Sequence, residues 1–222
     1  MNFSDNFQFS LNANDMSLEQ LNELHIEDSA STETTPAMQP QIVNVVATFS
    51  INNTKLNLSD ISTKAKNAEY NPRRFSAVVM RKTNPRTTSL IFPKGKIVVT
   101  GAKTVAECKI ASKKVAKTIK MLGYEVRYSN FNVQNIVATA KMGFDIYLGR
   151  LEMEQPELCK YEPEVFPGLI YRLPDLNMKA LVFRSGSVVF VGAKDEMTIN
   201  LAYRKMYTTL LAFKREEEGS FN

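Results

Sequence analysis

The chain repeats itself, and a repeat of this length fixes the kind of fold it can adopt. Ile42-Val43-Asn44-Val45-Val46-Ala47-Thr48 recurs as Val133-Gln134-Asn135-Ile136-Val137-Ala138-Thr139, 91 residues later. Val98-Val99-Thr100-Gly101-Ala102-Lys103 recurs as Val189-Phe190-Val191-Gly192-Ala193-Lys194 at the same offset. Phe75 and Phe166, Arg81 and Arg172, Leu90 and Leu181, and Phe92 and Phe183 keep it too. One spacing held over so many positions predicts two tandem copies of one supersecondary unit, over 41–132 and 133–222.

Each copy reads the same way. An opening strand (41–51; 133–142) alternates, with Asn44, Val46 and Thr48 on one face and Val45, Ala47 and Phe49 on the other. A short helix is expected near Ser59 to Ala68. Strands follow at about 73–82, 87–92 and 96–101, the last two joined by Pro93-Lys94-Gly95. A long helix closes the unit at 104–122. Thr104 with Glu107 forms a capping box, and Asp195 caps the matching helix of the second copy. The apolar stripe Cys108, Ala111, Val115, Ile119, Leu122 returns as Ile199, Ala202, Met206, Leu210, Phe213. Such stripes pack on one face of a sheet, so helices cover one side only.

Composition narrows the partners. Residues 1–40 hold seven acidic residues and no Lys or Arg. All 28 basic residues and 16 of the 23 acidic ones therefore lie in 41–222, which carries a net +12 against +5 for the whole chain. A basic body behind an acidic tail suits a polyanion partner. The tail, rich in Asn, Ser and Thr, is expected to be disordered, with Met16 to Ile26 as a short helix-forming stretch. No apolar run approaches the roughly 18 residues of a membrane span, and no secretory leader is evident. Cys108 and Cys159 read as reduced thiols, so the expected setting is intracellular.

The second sheet face can be listed by alternation. It carries Asn44, Val46, Leu90, Phe92, Val98 and Thr100 in the first copy, and Asn135, Val137, Leu181, Phe183, Val189 and Val191 in the second. An apolar, acid-free outer face is anomalous where one face is already covered, and it marks a surface that meets something. Arg73, Arg74, Arg81, Arg86, Lys94, Lys96 and Arg172 surround it. Cations ringing an apolar face point to DNA, and the minor groove fits best. Its floor offers mainly the acceptors of A·T pairs, which an Asn amide can donate to, while valines exclude the guanine amino group. Phenylalanines at the ends can wedge between base steps and kink the duplex.

At these residues the chain resembles the TATA-box-binding proteins of eukaryotes. Asn67-Ala68-Glu69-Tyr70-Asn71-Pro72, Leu90-Ile91-Phe92, Thr100-Gly101-Ala102-Lys103 and the run from Tyr161 to Arg172 carry the resemblance, which covers about 41–215. It implies an α+β fold, a pseudo-two-fold saddle whose curved ten-stranded antiparallel sheet has four helices on its convex side. It implies that Phe75 with Phe92, and Phe166 with Phe183, intercalate in DNA. Asn44, Val46, Leu90, Val98, Thr100, Asn135, Val137, Leu181, Val189 and Val191 would line the minor groove. Arg74, Arg81, Lys96 and Arg172 would hold phosphates. Glu162, Glu164 and Val165 would contact general transcription factor B, with factor A, associated factors and the RNA polymerase machinery as further partners. The implied role is a nuclear initiation factor that bends TATA-like DNA and nucleates the preinitiation complex, with no cofactor and no metal. The alternative is a related paralogue acting mainly as an interaction protein, and a second copy is an alternative occupant of the saddle off DNA.

Four positions depart from that pattern. Val191 replaces the threonine expected from Thr100, Ser187 the lysine expected from Lys96, Pro93 a small residue and Val165 a leucine. An enzyme is not expected. Gly95 through Thr104 imitates a phosphate-binding loop, but five residues separate its glycines and Ala102 separates Gly101 from Lys103. The only histidine, His25, lies in the tail, so His-based acid–base chemistry has no candidate in the body.

Overall fold

In the computed structural model, residues 39–51 and 55–215 are described. The tail stretch Met16 to Ile26 lies outside them. The chain divides into two compact units, one from Ile42 to Ile136 and the other from Val137 onward. The first contains β1 (Gln41–Ile51), α1 (Leu58–Lys64), β2 (Ala68–Glu69), β3 (Val78–Thr83), β4 (Arg86–Ile91), β5 (Lys96–Ala102) and α2 (Val105–Met121). β6 (Tyr128–Lys141) leads into the second, with α3 (Leu148–Glu154), β7 (Cys159–Lys160), β8 (Leu169–Leu173), β9 (Met178–Val182), β10 (Ser187–Ala193) and α4 (Glu196–Leu211). The strands form one ten-stranded antiparallel sheet in the order β2-β3-β4-β5-β1-β6-β10-β9-β8-β7. Among the described residues, the ten strands and four α-helices match the fold that the repeat and the resemblance predict.

Alternation decides which side chains form each core. Along β1, Val45, Ala47, Phe49 and Ile51 are buried while Asn44, Val46 and Ser50 are less so. Helix α2 packs on β5 and β4, and α4 on β10. Cys108, Ala111, Val115 and Ile119 of one expected stripe are buried, while its last member, Leu122, is the half-exposed C-cap; Ile199, Ala202, Met206, Leu210 and Phe213 of the other are all buried. Both long helices start at the predicted caps. Glu107 N–H donates to Thr104 Oγ1 (3.1 Å), and the Glu107 carboxylate accepts from Lys103 N–H (3.1 Å). Thr198 N–H donates to Asp195 Oδ1 (2.8 Å).

Three boundaries differ from expectation. The short helix ends at Lys64, where Ala65 N–H donates to the Ile61 carbonyl, and Ala68 lies in β2 and not in that helix. β3 starts at Val78 instead of about residue 73, because the Asn71 carbonyl accepts from both Arg74 and Phe75 N–H and closes a turn there. β6 starts five residues before the expected 133. Its first residue, Tyr128, is tied into the first unit, stacking on Phe49 at 5.1 Å and sharing a 2.7 Å hydrogen bond with Ser112.

Burial pushes the Cys108 thiol up to about 11, and likewise Cys159. A raised thiol pKa disfavours the nucleophilic thiolate. We expect neither cysteine to react with iodoacetamide at pH 8 in the folded protein, and both to react after denaturation, as read by mass spectrometry. Because folding favours the protonated thiols, their contribution is intact below about pH 9 and fades as pH rises toward the folded values.

Candidate nucleic-acid interface

Each unit carries the same constellation on the sheet face opposite its helices. In the first, Ala77, Leu90 and Val98 form an apolar cluster, with Val46, Phe75, Val79 and Phe92 packed against it. In the second, Val137, Phe166, Leu181, Val189 and Val191 do so, with Ile170 and Phe183. The apolar residues listed for this face in the sequence fall in these clusters, which also hold Ala77, Val79 and Ile170, while Asn44, Thr100 and Asn135 belong to neither. Val79 pairs with Leu90, which pairs with Val98. Ile170 pairs with Leu181, which pairs with Val189. These rows of matched apolar side chains run across the strands.

At one end of each row two phenylalanines meet edge to face. The Phe75 and Phe92 centroids are 6.1 Å apart at 69°, and those of Phe166 and Phe183 are 5.8 Å apart at 64°. Matching turns present them. The Asn71 carbonyl accepts from Phe75 N–H, and the Glu162 carbonyl from Phe166 N–H, both at 2.9 Å. On the other member of each pair, Phe92 N–H donates to the Lys96 carbonyl (3.0 Å) and Phe183 N–H to that of Ser187 (2.9 Å). Gly168 leaves the second pair its space, since a Cβ there would sit 2.7 Å from Phe166 and 3.1 Å from Phe183.

A second row lies beside the first. In unit one it runs Arg81, Thr88, Thr100, and in unit two Arg172, Lys179, Val191. The missing Thr hydroxyl at Val191 is thus accompanied by a lysine where unit one has Thr88. Sequence reasoning missed Lys179, although the 91-residue offset that links Thr100 to Val191 also links Thr88 to Lys179.

Asn44 has its orientation set from within. Its Oδ1 accepts from Gly101 N–H (2.8 Å) and from the Thr100 hydroxyl (3.2 Å). A backbone N–H can only donate, so the carbonyl end of the amide faces the protein and the NH₂ end remains a donor. Gly101 has a φ of +98°, and a Cβ there would lie 3.4 Å from Arg86 O and Thr87 Cα. The positive φ is why glycine serves at that position. Asn135 is 6% exposed.

The remaining predicted residues are solvent-facing. Arg74, Arg81, Lys96 and Arg172 are exposed. Arg81 is paired with Glu69 at 3.1 Å, an exposed contact that solvent weakens. Glu162, Glu164 and Val165 are exposed on the turn before Phe166, and Glu162 is paired with Lys160 at 3.1 Å. The segment from Lys96 to Ala102 is strand, so Gly95 and Lys103 frame no phosphate cradle. Among the described residues no three His, Cys, Asp or Glu gather as a metal site, and no helix is long and apolar enough to cross a membrane.

Comparison with known proteins gives a consistent result. The family model described as "Transcription factor TFIID (or TATA-binding protein, TBP)" matches residues 39–122 and again 130–213. The chain is 53% identical to TATA-box-binding protein 2 of Entamoeba histolytica over 178 residues, covering 80% of this chain and 84% of that one. It is 43% identical to TATA-box-binding protein-like 1 of the same organism over 208 residues, covering 94% and 96%. Among solved structures, the TBP of Methanococcus jannaschii matches with a TM-score of 0.70 at 38% identity, over 78% of this chain and 99% of that one.

Proposed function

Because this chain belongs to the TATA-binding protein family, we propose that it binds A·T-rich, TATA-like duplex DNA through the minor groove, bends it sharply and nucleates transcription initiation complexes in the nucleus. The constellation repeated in both units carries the proposal: a phenylalanine pair, an apolar row and a cationic rim. The Asn44 NH₂ faces the A·T acceptors, and Asn135 is its counterpart in the repeat. Val46, Leu90, Val98, Thr100, Val137, Leu181, Val189 and Val191 fill the groove and exclude the guanine amino group. Phe75 with Phe92, and Phe166 with Phe183, wedge into base steps, at a cost of a few kcal/mol per step that the wider contact offsets. Arg74, Arg81, Lys96 and Arg172 neutralise phosphates, so affinity falls steeply with salt. Arg81 exchanges its Glu69 partner for a phosphate. Glu162, Glu164 and Val165 form the contact for general transcription factor B, and factor A with its associated factors takes other surfaces.

The test is mobility shift with a fluorescence bend angle, on a TATA-containing duplex and a G·C-rich control. We expect a sharply bent complex on the first and only weak, unbent binding on the second. Equal affinity without a bend would overturn the proposal. Val191→Thr is expected to sharpen preference in the second half-site by restoring the hydroxyl that Thr100 offers in the first. Site selection from random duplexes reads this as lower tolerance in one half, and an unchanged profile would mean that Lys179 and Val191 already act as an equivalent pair.

A further inference from the structure

The two units differ where the loop before the short helix meets the β-hairpin turn and the end of the long helix. In unit one, Leu56 N–H donates to the Pro93 carbonyl (2.9 Å), and in unit two Ile146 N–H donates to the Arg184 carbonyl (2.8 Å). The backbones therefore correspond, and the side chains can be compared place by place. In unit one the positions are Asp60, Pro93, Gly123 and Tyr124. There the Tyr124 hydroxyl donates to Asp60 Oδ2 (3.0 Å), and Lys64 pairs with the same carboxylate (2.7 Å). This surface satisfies itself.

In unit two the same positions are Arg150, Arg184, Lys214 and Arg215, and all four line one open concavity. Arg215 N–H donates to the Asp145 carbonyl (2.8 Å) and Tyr147 N–H to the Phe213 carbonyl (2.9 Å), which holds the loop against the end of α4. Arg150 lies over the Phe213 ring, 5.5 Å from its centroid, and is paired with Glu154. Among the described residues Arg184, Lys214 and Arg215 have no ion pair. The turn itself shows the reverse trade: Lys94 and Lys96 of unit one become Ser185 and Ser187, whose hydroxyls hydrogen-bond each other at 3.2 Å.

We propose that Arg184, Lys214 and Arg215 form a phosphodiester-binding surface that holds the DNA backbone beyond the base pairs covered by the second unit. This rests on the DNA-binding reading above. DNA is favoured over an acidic peptide by continuity: Arg184 directly follows Phe183 on the same turn, so backbone leaving a step wedged by Phe183 runs past this surface. The cations absent at Ser185 and Ser187 are thereby replaced by Arg184 on the same turn and by Lys214 and Arg215 beyond the end of α4.

The experiment uses the full chain, with Glu216, Glu217 and Glu218 present in every arm, and the triple variant R184Q/K214Q/R215Q. Affinity is measured against salt on a minimal TATA duplex and on one extended at both ends. On the extended duplex the variant is expected to show a slope of log K against log salt lower by about 2 to 3, since each neutralised phosphate contributes roughly 0.9, with about tenfold weaker binding. On the minimal duplex its affinity and bend should equal those of the unaltered chain, which also shows that it folds. R184Q alone should give about a third of the slope change, and R184K should restore it. Equal slopes for variant and unaltered chain on the extended duplex would overturn the proposal, as would an equal loss on both duplexes, which would signal only a diffuse field. Failure of the unaltered chain to prefer the minimal TATA duplex over its G·C control would instead sink the parent reading.

Discussion

Phe166→Ala combined with Phe183→Ala should abolish most of the bend contributed by the second unit while leaving salt-dependent, sequence-independent binding nearly intact. The two rings meet at 5.8 Å and 64°, and together they can enter a base step that neither small side chain could hold open. Without them the duplex must be bent by elastic strain alone, which costs about 1–6 kcal/mol for a smooth bend of 40–90° over 20–30 base pairs. Bending then becomes unfavourable, and affinity for a TATA duplex should fall by about 10²-fold, or roughly 2.7 kcal/mol. The rim cations are untouched, so the salt slope should hold. Because Phe166 is also buried in the apolar cluster, Phe166→Leu with Phe183→Leu provides the version that keeps packing volume. Fluorescence bend angle and mobility shift are read together. Parallel loss of bending and of non-specific binding would argue against wedging and for a general loss of surface.

Asn44→Asp should be nearly as damaging, from the change of one atom in type. The new carboxylate can still accept from Gly101 N–H and from the Thr100 hydroxyl, as Oδ1 does now, so the first unit should fold as before. What changes is the outward end. An NH₂ that donates to A·T acceptors becomes a carboxylate oxygen that faces them with no proton, among the phosphates of both strands. Leaving groove acceptors unpaired costs about 1–3 kcal/mol, and charge repulsion adds to it. We expect at least 10²-fold weaker binding to a TATA duplex, an unchanged melting temperature, and a milder loss for Asn44→Ala. Equal losses for Asp and Ala would mean that the amide is not a donor in the complex.

The sequence made the duplicated plan legible because chemistry repeats at one offset. Thr104 and Asp195 announce their helices, and the stripes from Cys108 to Ile119 and from Ile199 to Leu210 announce the covered face. Strand pairs two residues long, such as Ala68–Glu69 against Val79 and Met80, carry no period to read. Ala77 and Val79 share the period-two alternation of Phe75 and Arg81, and Ile170 that of Phe166 and Arg172, so these three were legible on the predicted face although they were not named there. Lys179 was readable as the counterpart of Thr88 at the 91-residue offset, and the strand register adds that it faces Val191. Likewise the contrast between Tyr124–Asp60 and Arg215–Arg150 depends on which loop backbones coincide, and that is a property of the fold and not of local sequence.

One feature of the topology bears on how the chain comes off the ribosome. In unit one the opening strand pairs with the last, Val45 with Ala102 and Ser50 with Lys96, across about fifty intervening residues. β6 and β10 are neighbours in the same way. Loop closure of that span must precede the contacts that reward it. During synthesis β1 therefore has no partner from its own unit until the hairpin of β4 and β5 has emerged. Unit one can seal around α2 before β10 exists, and until then the amphipathic first strand is the segment that a chaperone would have to shield.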